Sequence, residues 1–284
     1  MIKLQTLLTP QKVSGTPKII SQFAEMRLKR IFEEDMRSEN PVILRINDAV
    51  IKKISRFLSG EMKRSCAIGI AGETASGKST ITLDIIDTIN AFAQEFELEN
   101  AVTRINTDDY YYDRSDMVKK AGSFAEFAKH YDLDVPEALE LELMHKHIKQ
   151  LVFGHEVLLP EYDMSGTAIR RDSVKPAKPS KVIISEGLFT LTEKVADAFD
   201  LKIYVDVRHN VQKDRFYKRA LERHLGDSAD EVYKNASDKA KIYIKPTMKT
   251  ADIVISGEAD RHSYKKLIAK ILCFIQEQYF NKPV

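Results

Sequence analysis

Apolar residues along this chain follow two rhythms, and the places where one gives way to the other predict its elements. Residues 19–38 carry Ile20, Phe23, Met26, Leu28 and Ile31 among many charges, which predicts a helix that Pro41 ends. Asn47 suits the cap of a second helix over 48–58, with Val50, Ile51, Ile54, Phe57 and Leu58 to one side and Ser59-Gly60 closing it. Residues 1–18 contain Pro10, Gly15 and Pro17 and read as a loose or partly docked arm. Residues 1–62 are therefore expected to form an N-terminal helical extension packed on the remainder. An oligomer-forming or regulatory surface is the other use open to such a segment.

From residue 66 the rhythm changes. Apolar runs of strand length at 66–71, 102–106, 156–162, 181–187, 201–206 and 251–255 alternate with helical stretches at 80–89, 123–130, 136–153, 211–223, 227–244 and 262–280. Residues 163–166 read as a turn and 175–180, with Pro176 and Pro179, as a loop. The alternation predicts an α/β domain over 63–284, a parallel sheet covered by helices on both faces. Ligands of such sheets gather at the carboxyl ends of the strands.

The first of these ends carries Gly72-Glu73-Thr74-Ala75-Ser76-Gly77-Lys78-Ser79, then Thr80. It matches the phosphate-binding loop G-x-x-x-x-G-K-[ST] at every position, between a strand and a helix striped with Ile81, Ile85, Ile86 and Ile89. In that setting backbone N–H groups turn inward on a β-phosphate and the helix N-terminus adds partial positive charge. Lys78 reaches the β- and γ-phosphates, and the Ser79 hydroxyl suits Mg²⁺. The expectation is a P-loop NTPase fold that binds ATP with Mg²⁺.

Three acidic features are expected at the same edge. Asp108-Asp109 follows the 102–106 run and precedes Tyr110, Tyr111, Tyr112 and Asp113. A carboxylate there can accept a proton from a substrate hydroxyl or hold Mg²⁺ through water. Glu186 ends the 182–185 run, where a water-mediated Mg²⁺ ligand would sit. Asp132 or Asp134 suits either sugar hydroxyls or the cap of a helix beginning at Pro136. A basic helix over 208–223 brings Arg215, Lys218 or Arg219, and Arg223 to one face, as a cationic lid over about 208–245 would require.

Composition narrows the rest. The 44 basic and 42 acidic residues of the 284 leave a net charge of +2, which supports neither a nucleic-acid nor a membrane-surface partner. No run reaches ~18 apolar residues, so no spanning helix is expected. Cys66 and Cys273 lie far apart and read as buried thiols of a reducing compartment, and the protein reads as cytoplasmic.

Together these residues resemble the uridine kinase-like branch of the uridine kinase/phosphoribulokinase/pantothenate kinase group of P-loop kinases, from about residue 66 to 257. Thr74 to Thr80 is similar to that family's T-A-S-G-K-S/T loop. Asp108-Asp109-Tyr110-Tyr111 resembles its D-S-F/Y-Y segment, which implies that Asp108 is the base and Tyr111 a site tyrosine. Tyr131-Asp132 with Pro136-Glu137-Ala138-Leu139-Glu140 is like F-D-H-P-D-A-F-D with two extra residues, which implies Asp132 on the ribose hydroxyls. Pro160-Glu161-Tyr162-Asp163 resembles P-x-Y-D, which implies Tyr162 beside the base. Ser185-Glu186-Gly187 matches V-E-G with its magnesium-linked Glu. Arg215 and Glu222-Arg223 match parts of the arginine-rich lid, and Lys245-Pro246-Thr247 with 251–255 resembles E-P-T…A-D-I-I-I.

The family's pyrimidine-reading histidine has no counterpart, since Gly166-Thr167-Ala168-Ile169 stands there. The lid's R-D pair appears as Lys218-Arg219, and its R-G-R as residues 223–227. The resemblance implies an ATP- and Mg²⁺-dependent kinase acting on the primary hydroxyl of a uridine- or cytidine-like nucleoside. Another sugar or a pantothenate-like alcohol is the alternative acceptor, and a non-catalytic ATP-binding regulatory protein the alternative of another class. A homo-oligomer is compatible with all three.

Overall fold

Neighbouring residues of the apolar runs point to opposite sides of one sheet, and so build two cores. The computed structural model describes residues 17–94, 101–223 and 225–279. In chain order these form α1 (Pro17–Met36), β1 (Ile43–Ile46), α2 (Asp48–Leu58), β2 (Cys66–Gly72), α3 (Lys78–Gln94), β3 (Val102–Asn106), α4 (Ser115–Ala121), α5 (Phe124–Ala128), α6 (Leu141–Val152), β4 (Val157–Tyr162), β5 (Arg170–Ala177), β6 (Val182–Glu186), α7 (Glu193–Ala196), β7 (Leu201–Asp206), α8 (His209–Glu222), α9 (Ala229–Lys239), β8 (Ile253–Ser256) and α10 (Arg261–Tyr279).

Six strands make one sheet in the order β1-β8-β7-β2-β6-β3. All neighbours pair in parallel except β1, which runs antiparallel to β8. Ile184, Ile203, Val205, Ile253 and Ile255 face α1, α2, α3 and α10. Ile183, Tyr204 and Val254 face the other way, with Met144, Ile148 and Leu151 of α6 and Val195 of α7. Period-two alternation in strands buried on both faces has this outcome. β2, β6 and β3 lie side by side, so the phosphate loop, Glu186 and the turn after β3 emerge together at one edge.

The predicted helices and strands recur with shifted ends, and four differences have local causes. β1 forms where the sequence reading leaves a break after Pro41. The run Ile43–Ile46 is short, and it becomes a strand because β8 offers an unpaired edge. The helix expected from Pro136 begins at Leu141 instead, because Leu139 is extended (φ −118°, ψ 148°) and bridges to Tyr111. The first half of the predicted loop at 175–180 belongs to β5, in an antiparallel ribbon with β4. A two-stranded ribbon is all edge, where Pro176 forfeits no interior ladder bond. The helix expected over 227–244 is α9 followed by a π-type turn at Ala240–Ile244 and a 3₁₀ turn at Lys245–Lys249.

Asn47 caps α2 as expected, its side chain accepting the Ala49 N–H at 3.0 Å. Cys66 is buried, and burial pushes its thiol up to about 12. The expected arm lies almost wholly outside the described residues, as does the side chain of Cys273. Among the described residues no helix is long and apolar enough to cross a membrane.

Candidate active site

The phosphate loop joins β2 to α3 with Gly77 at φ +95°, a conformation that side chains disfavour. Three side chains hold it from outside. Gln212 of α8 donates to the Thr74 carbonyl (2.9 Å), and Arg215 donates to the carbonyls of Gly257 (2.8 Å) and Ser76 (3.4 Å). Lys245 pairs with Glu73 at 3.4 Å. Within the loop the Ser76 N–H donates to the Glu73 carbonyl at 3.1 Å.

Lys78, at the start of α3, faces carboxylates from two neighbouring strand ends. Dehydration lowers its pKa and the charge of Arg219 adds to that, while Glu186 and Asp108 oppose it. Asp108 sits in a 3₁₀ turn, its own N–H capped by the Asn106 side chain at 3.3 Å. Its pKa is raised, first by burial and then by the charges of Glu186 and Asp109; Lys78 and Arg223 pull it down. Asp109 turns away, its oxygens facing the Tyr162 N–H (3.5 Å) and Lys175 (3.9 Å). The turn thus separates the two adjacent carboxylates, and Asp108 is the one beside Lys78.

Glu186 is buried at the end of β6. The Ser79 hydroxyl donates to its Oε2 at 3.1 Å, and Arg104 of β3 holds its Oε1 at 2.8 Å. A hydroxyl and a carboxylate meeting beside a phosphate loop are hard oxygen donors suited to Mg²⁺, which commonly takes one or two protein ligands together with phosphate oxygens. Arg104 had no signal in the sequence beyond being a charge inside an apolar run.

Beyond Asp108 lies a second, tyrosine-lined half. Tyr111 and Tyr162 pack with ring centroids 5.2 Å apart, and the Tyr111 hydroxyl donates to the Leu133 carbonyl at 3.3 Å. Burial, followed by the charges of Asp108 and Asp134, holds the Tyr111 phenol well above its ordinary value.

Asp132 and Asp134 have different surroundings. Oδ1 of Asp132 accepts the Asp134 N–H (2.9 Å) and a long bond from Asn235 (3.5 Å), while Oδ2 pairs with Lys239 at 2.5 Å. Burial would raise its pKa, but these partners win and lower it. Asp134 has one long contact, from Asn235 to Oδ2 at 3.3 Å. Its pKa is raised, chiefly by burial and next by Asp132. Asp132 therefore shapes the turn, and Asp134 keeps acceptor capacity facing Tyr111. Asp134-Val135-Pro136-Glu137-Ala138 keeps the Asp, Pro and Ala of D-H-P-D-A without an insertion, though not its His or second Asp.

The basic helix divides its cations. Arg219 bears on Lys78 and the exposed Arg223 on Asp108. Arg215, expected with them at the transferring group, instead braces the back of the loop. A cavity of about 410 Å³ opens there, lined by Thr80, Ile81, Arg215, Ala259, Arg261 and Tyr264 among others. It adjoins the phosphate loop and the start of α3.

A sequence profile of the phosphoribulokinase/uridine kinase family matches residues 67–262. Curated relatives of the chain carry the name uridine kinase. That of Halobacterium salinarum is 32% identical over 211 residues, which is 73% of this chain and 87% of the relative. That of Clostridium botulinum (Kyoto, type A2) is 31% identical over 222 residues, 76% of this chain and all of the relative. That of Clostridium tetani is 34% identical over 198 residues, 68% and 87% respectively.

Proposed function

The chain belongs to the phosphoribulokinase/uridine kinase family, and from that premise we propose that it transfers the γ-phosphoryl group of ATP to the primary hydroxyl of a uridine- or cytidine-like nucleoside. The observation that carries this reading is the meeting of Lys78, Asp108 and Glu186 at adjoining strand ends, with Tyr111 and Asp134 just beyond. Asp108 takes the hydroxyl proton as the acceptor oxygen bonds to phosphorus and the bond to the β-phosphate oxygen breaks, releasing ADP. Its raised pKa suits a group that must accept a proton. Lys78, Arg219 and Arg223 supply positive charge to the transferring group. Mg²⁺, when bound by Ser79 and Glu186, neutralises phosphate charge.

Asp108, Asp134 and Asp132 all bear on Tyr111, while Lys239 pairs with Asp132, Arg114 bears on Tyr162, and Lys78 and Arg223 bear on Asp108. A second reading, another sugar or a pantothenate-like alcohol, is favoured by the absence of an imidazole among Gly166-Thr167-Ala168-Ile169. An ADP-release screen over nucleosides, sugars and pantothenate-like alcohols with Mg²⁺-ATP separates the two. Turnover fastest with uridine or cytidine is the expected result. Turnover confined to a non-nucleoside alcohol supports the second reading, and turnover with no acceptor supports a non-catalytic nucleotide-binding role.

A further inference from the structure

We infer that α9 is a two-sided brace, in which Asn235 and Lys239 position the acceptor-side carboxylates while Tyr233, through Gln212, positions the phosphate loop. Calling those carboxylates acceptor-side rests on the proposed function; the mechanical link does not. On one side of α9, Asn235 and Lys239 lie four residues apart and share a face. Lys239 pairs with Asp132 at 2.5 Å, and Asn235 reaches Asp134 at 3.3 Å. Tyr233, two residues before Asn235, points to the opposite side. Its hydroxyl donates to Gln212 Oε1 (2.9 Å), and Gln212 Nε2 donates to the Thr74 carbonyl (2.9 Å). Tyr233 also packs in a small cluster with Phe216, Ala220 and Ala75, the last a residue of the loop itself.

The reason for coupling is the weakness of α9 by itself. It has 11 residues and buries one of them, Tyr233. A helix of that length is marginal without tertiary anchorage. Besides its continuation into the π-type turn, whose Ala240 and Ile244 are buried, and the Tyr217–Asp230 bond, its place is set by the ties on its two sides, and releasing either side loosens the helix and the tie on the other. Through α9, the carboxylates at 132 and 134 and the carbonyl of Thr74 are parts of one mechanical unit, although about sixty residues of chain separate them. Arg215, on α8, holds the loop without α9, so the unit can loosen without the loop unfolding.

Hydrogen exchange on the ligand-free full chain tests this without any assumption about substrate. Lys239→Met cuts only the acceptor side. It should speed exchange of amides in 131–138 and also, remotely, in 73–81, by about threefold or more at each. Tyr233→Phe keeps the ring against Phe216 and removes only the hydroxyl. It should likewise speed exchange at both segments. Lys239→Arg, which keeps the ion pair, should restore wild-type exchange at both and so separates the link from general loosening. In turnover, Lys239→Met should raise KM for ATP together with KM for the acceptor. Effects confined to the segment each variant touches, or an ATP KM unchanged by Lys239→Met, overturn the inference. Failure of every acceptor in the ADP-release screen would count against the proposed function and leave the exchange result standing.

Discussion

The Ser79 hydroxyl donates to Glu186 Oε2 across 3.1 Å, and Arg104 occupies the other oxygen of the same carboxylate at 2.8 Å. One oxygen thus faces the phosphate loop while the other is pinned from the neighbouring strand. Fixing a carboxylate from behind is how outer partners orient metal ligands, and loss of such a partner typically weakens metal binding about 10–100-fold. Arg104→Met is accordingly expected to raise the Mg²⁺ concentration for half-maximal turnover within that range. Ser79→Ala should do so by removing the direct oxygen. Titration of activity with Mg²⁺ at saturating ATP measures both, and an unchanged Mg²⁺ requirement in Arg104→Met would show that the pair does not orient Glu186 for the metal.

Asp108 carries the pH dependence. As a base it works only when ionised. Its pKa is raised by burial and by the charges of Glu186 and Asp109, so activity should fall on acidification at a pH above that of an ordinary aspartate. Arg223 opposes that rise, so Arg223→Gln should move the acidic limb of the kcat/KM profile further upward. Asp108→Asn should lower kcat by about 10²–10⁴-fold and leave ATP affinity close to wild type. A full pH profile for wild type and Arg223→Gln gives the sign directly, and a limb that moves downward in Arg223→Gln contradicts this electrostatic account.

The half of the site that holds the donor is contiguous in sequence and was correspondingly legible. Gly72 to Thr80 is one strand-to-helix connection, and the sheet needs only its neighbours β6 and β3 to bring Glu186 and Asp108 beside it. What the sequence could not show was set by distant partners. Asp132 and Asp134 stand two residues apart, and it is Lys239, over a hundred residues later, that engages Asp132. Arg104 looked like a stray charge until β6 placed Glu186 next to it. Arg215 and Arg223 shared a helical face on paper, yet the open carbonyls of Ser76 and Gly257 draw Arg215 behind the loop. β1 exists because β8 has a free edge, a fact no window around residues 43–46 contains.

The two acidic residues before Pro136 should separate in kinetics. Asp134→Asn removes an unspent charged acceptor. Hydrogen bonds to charged groups contribute about 1.5–3 kcal/mol, so the acceptor KM should rise roughly 10–100-fold with ATP KM little changed. Asp132→Asn instead leaves Lys239 without its ion-pair partner and relaxes the turn. Its effect should reach thermal stability as well as KM, and a second substitution, Lys239→Met, should add less than it does alone in wild type. Initial rates of the four variants in the acceptor identified by the ADP-release screen decide the matter. A larger acceptor KM effect from Asp132 than from Asp134 would return the substrate role to Asp132.

The rear wall of the loop offers a prediction that depends on shape. A Cβ built on Gly257 would lie 2.2 Å from the Ser76 carbonyl oxygen and 3.2 Å from that of Asp206, both backbone atoms that cannot rotate aside. Gly257→Ala must therefore push the loop inward or the β8–α10 connection outward, and overpacking of this kind costs about 1–3 kcal/mol. Either movement also breaks the two-carbonyl grip of Arg215. Mg²⁺-ATP affinity should fall more than acceptor affinity, and Arg215→Lys should share that bias, since the shorter lysine does not carry its ammonium to where Arg215 Nη1 donates to both carbonyls. Arg223→Ala, by contrast, should lower kcat with ATP affinity nearly unchanged, because its charge bears on Asp108 and not on the loop's rear. Thermal shift for Gly257→Ala and ATP binding for all three variants test the division. Equal losses of ATP affinity in Arg215→Lys and Arg223→Ala would show that the two arginines act at the same place.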